Sequence, residues 1–534
     1  MMKKIYLVAF ALAAVLPAVA QDTYESARLL GSDLNGTARY VGMGGAMEAL
    51  GADISTIGTN PAGIGLFRHS AISASFGLVS QQDVNKFDGL GKTNMSFDQI
   101  GFVYSLRTDR SSYINFGFNY HKSRNFDQIL SVADRSIRDA SSNMLTAEKE
   151  NRGYYTMDYN KNGDLLGYNN RGEAYSFSQM DWLNANVLSD EEIVEKDGKQ
   201  YSDLFLYPIA ADTYNFDRAH RGWISDFDFN ISGNSNDRFF WGVTVGVKNV
   251  NYKGRSGYAE GLRFMTGEDA GIVSYADERK ITGTGFDIKA GFIFRPVESS
   301  PFRIGLSVST PTWYDLKSSN VTEIVNESAM GESLDGGYTT GGDINNVYEF
   351  KYYTPWKFGL SLGHTIGTNL ALGASYEYSD YGASQNRVKD GYDYYGNSNS
   401  YQDNYMKTNT EQSLKGVSTL KLGAEFKPVP ELAIRLGYNY VSAAYEENGM
   451  RDQTIDSYGV YYASTSDYTN WKGTNRITCG LGYKVGGVNI DLAYQYSATN
   501  GEFYPFQPNL CGTVTPADVS NKRHQLLLTL GYTF

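Results

Sequence analysis

The stretch Gln525-Leu526-Leu527-Leu528-Thr529-Leu530-Gly531-Tyr532-Thr533-Phe534 decides the fold. Leu526, Leu528, Leu530, Tyr532 and Phe534 fall on one face, and Gln525, Leu527, Thr529, Gly531 and Thr533 on the other. A helix needs apolar residues three and four apart; a period of two is a strand with one face out of water. The segment before it repeats the pattern. Val488, Ile490, Leu492, Tyr494 and Tyr496 oppose Asn489, Asp491, Ala493 and Gln495. So do Leu432, Ile434, Leu436, Tyr438, Tyr440, then Leu370, Leu372, Ala374, Tyr376, Tyr378, and Ile114, Phe116, Phe118, Tyr120.

Working outward, fourteen such segments appear. The first seven are 69–80, 95–107, 112–123, 222–234, 238–252, 281–296 and 302–315. The other seven are 346–365, 369–381, 412–427, 431–445, 474–485, 487–498 and 522–534. Six connections are tight, among them Thr108 to Ser111, Gly367-Thr368 and Gly486-Gly487. The seven others are long and polar, the longest spanning 124–221. Strict alternation of short and long connections is the mark of a membrane barrel with turns at one end and loops at the other. A soluble sandwich has no reason to collect its long loops on one side. The expected fold is therefore all-β: a 14-stranded antiparallel transmembrane β-barrel spanning residues 69–534. An even strand count places both termini on the short-turn side, expected to be periplasmic in the outer membrane of a Gram-negative-type bacterium. The Tyr-x-Tyr endings at 376/378, 438/440 and 494/496 would share the opposite interface. Phe534 on the last amphipathic strand resembles an insertion signal for the barrel-assembly machinery. Outer-membrane lipid and lipopolysaccharide are the expected surroundings, and the expected state is a monomer.

Composition agrees. Residues 1–20 read as a signal peptide: Lys3 and Lys4, an apolar run from Ile5 to Leu16, and Ala18-Val19-Ala20 before the cut. No later run is long enough for a transmembrane helix. A mean hydropathy of −0.40 normally denotes a soluble chain, but only alternate residues of a barrel strand meet lipid. The 42 Tyr, 27 Phe and 57 Gly against 12 Pro suit aromatic girdles and curved strands. A net charge of −12 with no basic tract speaks against nucleic acid. Cys479 and Cys511 are too few for a disulfide framework, and whether they pair is open at this level.

Residues 21–68 do not alternate. Gly42-Met43-Gly44-Gly45-Ala46-Met47-Glu48-Ala49-Leu50-Gly51 is a helix-like run of small residues, and Asn60-Pro61-Ala62-Gly63 is turn chemistry. A periplasmic tail would carry more charge and less Ala, Met, Leu and Ile. A hatch, or plug, buried in the lumen is expected instead. From Ala38 to Leu66, with Ala52-Asp53 between the glycine-rich start and the Asn60-Pro61-Ala62-Gly63 end, the segment resembles the hatch of the FadL family of outer-membrane transporters for long-chain fatty acids and aromatic hydrocarbons. Thr310-Pro311 followed by Tyr314-Asp315, and Pro355-Trp356, are similar to that family too. The long 124–221 loop departs from it.

The resemblance implies passive uptake of a hydrophobic small-molecule ligand, which passes beside the hatch (Gly42, Gly44, Gly45, Asn60, Pro61, Ala62 and Gly63) and leaves sideways through a kinked third strand. Gly117 and Asn119 are the candidate kink. Among charges facing the lumen by alternation (Lys289, Arg303, Lys421, Arg435, Lys484), Arg435 and Lys421 are the candidate head-group contacts, each equally consistent with lumen ion pairing. The alternatives are a surface-display or adhesin barrel and a general diffusion porin. No enzyme, cofactor or metal site is expected: the five histidines (69, 121, 220, 364, 524) lack ligand spacing. Asp158 to Asp164 imitates a calcium loop but has Asn169 where the bidentate Glu belongs, so a polar hairpin is the stronger reading. Gly91-Lys92-Thr93 lacks the first glycine and the strand–helix context of a phosphate loop.

Overall fold

The computed structural model describes residues 21–534 apart from 135–136, 160–164, 169–173, 176–177, 197, 207, 330–337, 341–346, 393, 395–397 and 462. The signal peptide and the calcium-like loop therefore lie outside the described residues, the latter but for Asp158 and Tyr159. Fourteen antiparallel strands form the wall. They are β1 (Ala71–Gln81), β2 (Thr93–Asp109), β3 (Ser112–Asn125), β4 (Ala210–Ser235), β5 (Phe239–Arg263) and β6 (Asp269–Phe294). Next come β7 in two pieces (Arg303–Ser309, Trp313–Ser328), β8 in two pieces (Val347–Tyr353, Lys357–Ile366) and β9 (Leu370–Asp380). The wall ends with β10 (Gly416–Val429), β11 (Leu432–Val441), β12 (Tyr468–Val485), β13 (Val488–Tyr504) and β14 (Ala517–Thr533). Each pairs with the next, and β1 pairs with β14 from Ala71↔Thr533 to Gln81↔Arg523, so the cylinder is closed.

The alternation read from sequence is the wall's inside and outside. Leu528 is 39% exposed and its neighbour Thr529 only 3%. On β5 the outward residues Val243, Val245 and Val247 are exposed, and the outward series turns polar at Asn249. Phe239 to Val247 thus marks the depth of the apolar belt on that strand, the nine or so residues that a tilted strand uses to cross a bilayer. Asn236 and Asp237 adopt positive φ (53° and 51°) in the tight β4–β5 turn, as Gly367 and Gly486 do in theirs.

One boundary set needs correction. β4 begins at Ala210 rather than 222, β6 at Asp269 rather than 281, and β7 runs on to Ser328. Beyond the belt both faces are polar or packed, so the alternation disappears from the sequence while the hydrogen-bond ladder continues. Over these extensions lies a cap. Gln128–Asp134 lengthens β3 by pairing with the outer part of β4. Helices α1 (Ser142–Asn151) and α2 (Gln179–Leu188) pack with it on a core including Leu145, Leu183, Phe216, Val273, Phe503 and Phe506.

Glu260 ties the cap to β5. Its Oε1 accepts from Ser142 N at 2.8 Å and Tyr258 Oη at 2.6 Å, while Oε2 has no partner among the described residues. Burial pushes its carboxyl from an ordinary 4.5 up to about 7, the two hydrogen bonds acting weakly the other way. The closed cap thus holds a proton that the open form releases near pH 4.5, so closure is strongest below that pH and weakens up to about 7. Hydrogen exchange should show protection of residues 142–151 falling across that window, by about 3 kcal/mol in all, then levelling; E260Q should flatten the profile. Refolding into lipid vesicles checks the belt. L528K should cost about 2–4 kcal/mol, as a Lys at the midplane does, whereas S520K, beyond the belt, should cost under about 1 kcal/mol.

Candidate functional site

Residues 21–68 fill the lumen. Two one-turn helices (Thr23–Ala27 and Ala38–Gly42) and two 3-10 turns (Ile54–Gly58 and Pro61–Leu66) are joined by tight bends. Asp22, Thr37, Asp53 and Asn60 cap them, each side chain accepting from backbone N–H groups. Such short helices have little stability of their own; the wall holds them.

The wall meets the segment with glycine. Gly363↔Gly373, Gly373↔Gly423 and Gly423↔Gly437 are direct partners on β8, β9, β10 and β11, forming a belt at one height. A Cβ on Gly373 would overlap the Ala46 carbonyl, one on Gly423 the Met43 carbonyl, and one on Gly437 the Gly44 amide. On the segment's side, Gly44 and Gly45 have φ of +63° and +82°, and a Cβ on Gly44 would lie 2.8 Å from Tyr438 N. Gly42 sits 3.3 Å (Cβ position) from the Cα of Gly480. Opposite, Asn60 and Pro61 lie over Gly291 and Gly242, themselves partners on β6 and β5. Ala62 is fully buried against Phe240 and Ile293. The Gly63 carbonyl accepts from Ala52 N at 3.0 Å.

Ion pairs fix the segment's position. Arg39 binds Glu425 at 3.0 Å, Glu48 binds Lys421 at 2.7 Å, and Asp22 binds Arg451 at 2.7 Å. Hydrogen bonds to segment carbonyls come from Asn115, Thr244, Arg303 and Thr478. Removing one partner of such a buried pair typically costs about 3–5 kcal/mol.

This accounts for the candidate head-group contacts. Lys421 bridges Glu48 and Glu377, both at 2.7 Å, and Arg435 bridges Glu425 and Asp491, both at 2.6 Å. Lys289 likewise binds Asp228 and Asp287. Their charges serve lumen pairing. The candidate kink differs as well. Gly117 pairs with Val103 on one side and Asn230 on the other, and Asn119 with Gly101 and Asp228, so β3 is continuous there. The missing side chain of Gly117 gives room to Ile57 of the inner segment, 3.4 Å from its Cβ position.

A cavity of about 410 Å³ lies between the inner segment and the far mouth. Part of its wall is apolar and aromatic: Leu29, Leu30, Phe126, Ile224, Tyr314 and Tyr445. Eleven Lys and Arg against five Asp and Glu line it, in a chain of net charge −12. Glu48, Asp228, Asp467 and Glu502 pair four of those cations from just outside the lining, yet a surplus remains. It concentrates at Asp33. Arg124 and Arg476 approach that carboxylate at 3.7 and 3.8 Å, and Arg523 adds a third guanidinium field without an ion pair of its own among the described residues. Burial alone would raise the Asp33 carboxyl, but Arg124, Arg523 and Arg476 overcome it and hold it below the usual carboxylate range.

Sequence reading missed this group because its members sit on β3, β12, β14 and the inner segment. The one signal available was a charged residue in an otherwise small and apolar run. His121, Asp226 and Asp228 also meet, their ligand atoms within 4.8 Å of one another. Both carboxylates are already engaged, Asp226 by Lys248 and Asp228 by Lys289 at 2.8 Å, so a cation there would face two ammonium groups. Both cysteines are free.

A closed cylinder with an apolar outer belt and a filled lumen is a plugged transmembrane β-barrel of the outer-membrane type. No family model matches the sequence, and no curated protein matches it. Its structure is similar to a FadL homologue of Pseudomonas aeruginosa at 12% identity, over 97% of this chain and 100% of that one, with a TM-score of 0.49. It is also similar to the toluene transporter TbuX of Ralstonia pickettii (12%, 94% and 99%, 0.47) and to the monoaromatic hydrocarbon channel CymD (10%, 95% and 99%, 0.48). Likeness at this level decides nothing about function; the strand ladder of the chain itself fixes the architecture.

The glycine belt yields a direct check. G437V should force the inner segment off the wall, at about 1–3 kcal/mol, the usual cost of overpacking. The readout is limited proteolysis in detergent, with cleavage between residues 21 and 68 appearing in the variant at protease levels that leave the wild type intact.

Proposed function

We propose that the barrel passes hydrophobic compounds with a polar or anionic head, long-chain fatty acids in the first instance, across the outer membrane without energy input. The observation that carries this reading is the cavity: an aromatic and aliphatic wall beside one carboxylate, Asp33, that two guanidiniums approach while a third, Arg523, adds its field. An apolar tail gains by leaving water. A carboxylate head would take up the unspent charge of Arg124, Arg476 and Arg523, forming the short charge-assisted hydrogen bonds that guanidinium favours. Aromatic hydrocarbons, with no head, would use the wall alone.

In this reading residues 1–20 export the chain, 21–68 act as the hatch, and the turn side with both termini faces the periplasm. The hatch motif at Gly42, Gly44, Gly45 and Asn60 to Gly63 keeps hydrophilic solutes out by filling the lumen, and the ligand leaves sideways into the bilayer. The protein performs no chemistry. A display barrel would have no need of the glycine belt and the ion pairs that hold the inner segment, and a general porin would not be filled.

Whole-cell uptake of fluorophore-labelled dodecanoate tests it. R124Q/R476Q/R523Q should weaken half-saturation by about 10–100-fold, the range of hydrogen bonds to a charged group, and leave toluene uptake within about twofold of wild type. Deleting residues 23–59 should admit small hydrophilic dyes and change dodecanoate uptake. Uptake equal to wild type in both variants would sink the proposal.

A further inference from the structure

β7 and β8 are interrupted at one height. Ser309↔Lys357 pairs below the break and Trp313↔Tyr353 above it, so the register is unchanged across three residues of each strand. Within the break Pro311 stands opposite Pro355, and proline supplies no N–H to a ladder. Thr354 N still donates to Thr312 O at 3.1 Å, and Thr312 N to Thr354 Oγ1 at 2.7 Å. One step lower the strands let go. There Thr310 and Trp356 face away from each other: Thr310 N continues the β6 ladder to Ile288 O at 2.9 Å, and Trp356 O accepts from Ser379 Oγ on β9 at 3.0 Å. No hydrogen bond joins Thr310 or Pro311 to Pro355 or Trp356 among the described residues. The facing also changes. Gly305 below the break and Thr312 and Tyr314 above it are buried, so inward positions pass from odd to even numbers.

The gap is about 7 Å tall, two residues at the strand rise. Its inner edge belongs to the cavity, which Ser309, Thr310, Thr312, Thr354, Pro355 and Lys357 line. Its outer edge is apolar: Trp313 and Trp356 flank it, with Phe286, Ile288 and Phe358 exposed around them. Lys357, at the inner lip, makes no ion pair among the described residues, unlike Lys248, Lys289 and Lys421 on neighbouring wall. By contrast β3, where the family resemblance places a sideways exit, is laddered on both sides at Gly117.

We propose that this slit between β7 and β8 is the lateral passage between cavity and bilayer, taken by an amphiphile whose anionic head passes Lys357 while its tail slips between Trp313 and Trp356. The inference rests on the transport reading above and names its exit. Widening needs only the two hydrogen bonds between Thr312 and Thr354 to yield, with the ladder below Ser309 intact.

The test is a disulfide staple, T312C/T354C, in a C479S/C511S parent. The two residues are opposed on neighbouring strands, where Cβ atoms lie about 4.5–5.5 Å apart. Uptake of labelled dodecanoate into whole cells is read before and after dithiothreitol, with heat-modifiable migration on gels confirming the folded barrel. The oxidised protein should lose at least about fivefold in uptake and regain it on reduction. P311V/P355V, which returns two N–H donors to the wall, should slow uptake without any oxidant. Oxidised, folded protein that transports at the parent's rate overturns the slit while leaving the transport reading standing. A parent that transports nothing overturns both.

Discussion

Inside a bilayer no water is at hand for a stray N–H or C=O, so every backbone polar group there must find a partner within the protein. The closing pairing of β1 with β14 meets that demand, and the rest of the molecule is arranged around the space it encloses. Fourteen strands are too many for their own side chains to fill the centre. Either water occupies such a lumen or chain does. Here residues 21–68 occupy it, and the price is a wall that gives up side chains along Gly363, Gly373, Gly423 and Gly437 so that two backbones can touch.

Close approach alone would leave the segment free to slide, since a smooth glycine surface specifies no register. The charges supply it. Arg39, Glu48 and Asp22 each meet one opposite charge from the wall or from the β11–β12 connection. Burying these pairs gains little net stability, because desolvation offsets much of the attraction, but displacing one partner strands the other. The pairs therefore act as positional keys. This also separates two sorts of cation in the lumen. Lys421 and Arg435 are saturated by carboxylates, whereas the guanidiniums at Asp33 outnumber their counter-charge. Only the second sort carries charge in excess of its counter-charge.

The belt was legible in the sequence, because lipid on one side and packed interior on the other impose a period of two; all fourteen strands follow from it. What lies beyond the belt was not. From Asn249 on β5 outward the outer face turns polar while Val250, Tyr252, Tyr258 and Leu262 pack inward, so the lipid-facing hydropathy signal ends and the extensions read as loop. The inner segment was visible as a run of small residues with turn chemistry. Its binding surface was not, since Gly363, Gly373, Gly423 and Gly437 are scattered over 75 residues and are brought together only by register. The same holds for Arg124, Arg476 and Arg523, which no spacing connects. Gly117 shows the converse hazard. A glycine in mid-strand reads as a candidate kink, and in the structure its missing side chain leaves room for Ile57.

A barrel that must stay closed and yet exchange solute with the bilayer faces a conflict, because any permanent opening exposes backbone to lipid. At the β7–β8 break the conflict is small, because the groups beside it are held by the outer neighbours β6 and β9. Thr310 N bonds to β6 and Trp356 O to β9, so parting the two strands would leave that donor and that acceptor satisfied. Proline completes the arrangement, since Pro311 and Pro355 have no N–H to satisfy. A slit built this way costs little in hydrocarbon, whereas an opening at Gly117 would break ladder bonds on both sides of β3. The position of an exit in such a wall is set by where the backbone can be spared, which is the ground for proposing one between Ser309 and Trp313.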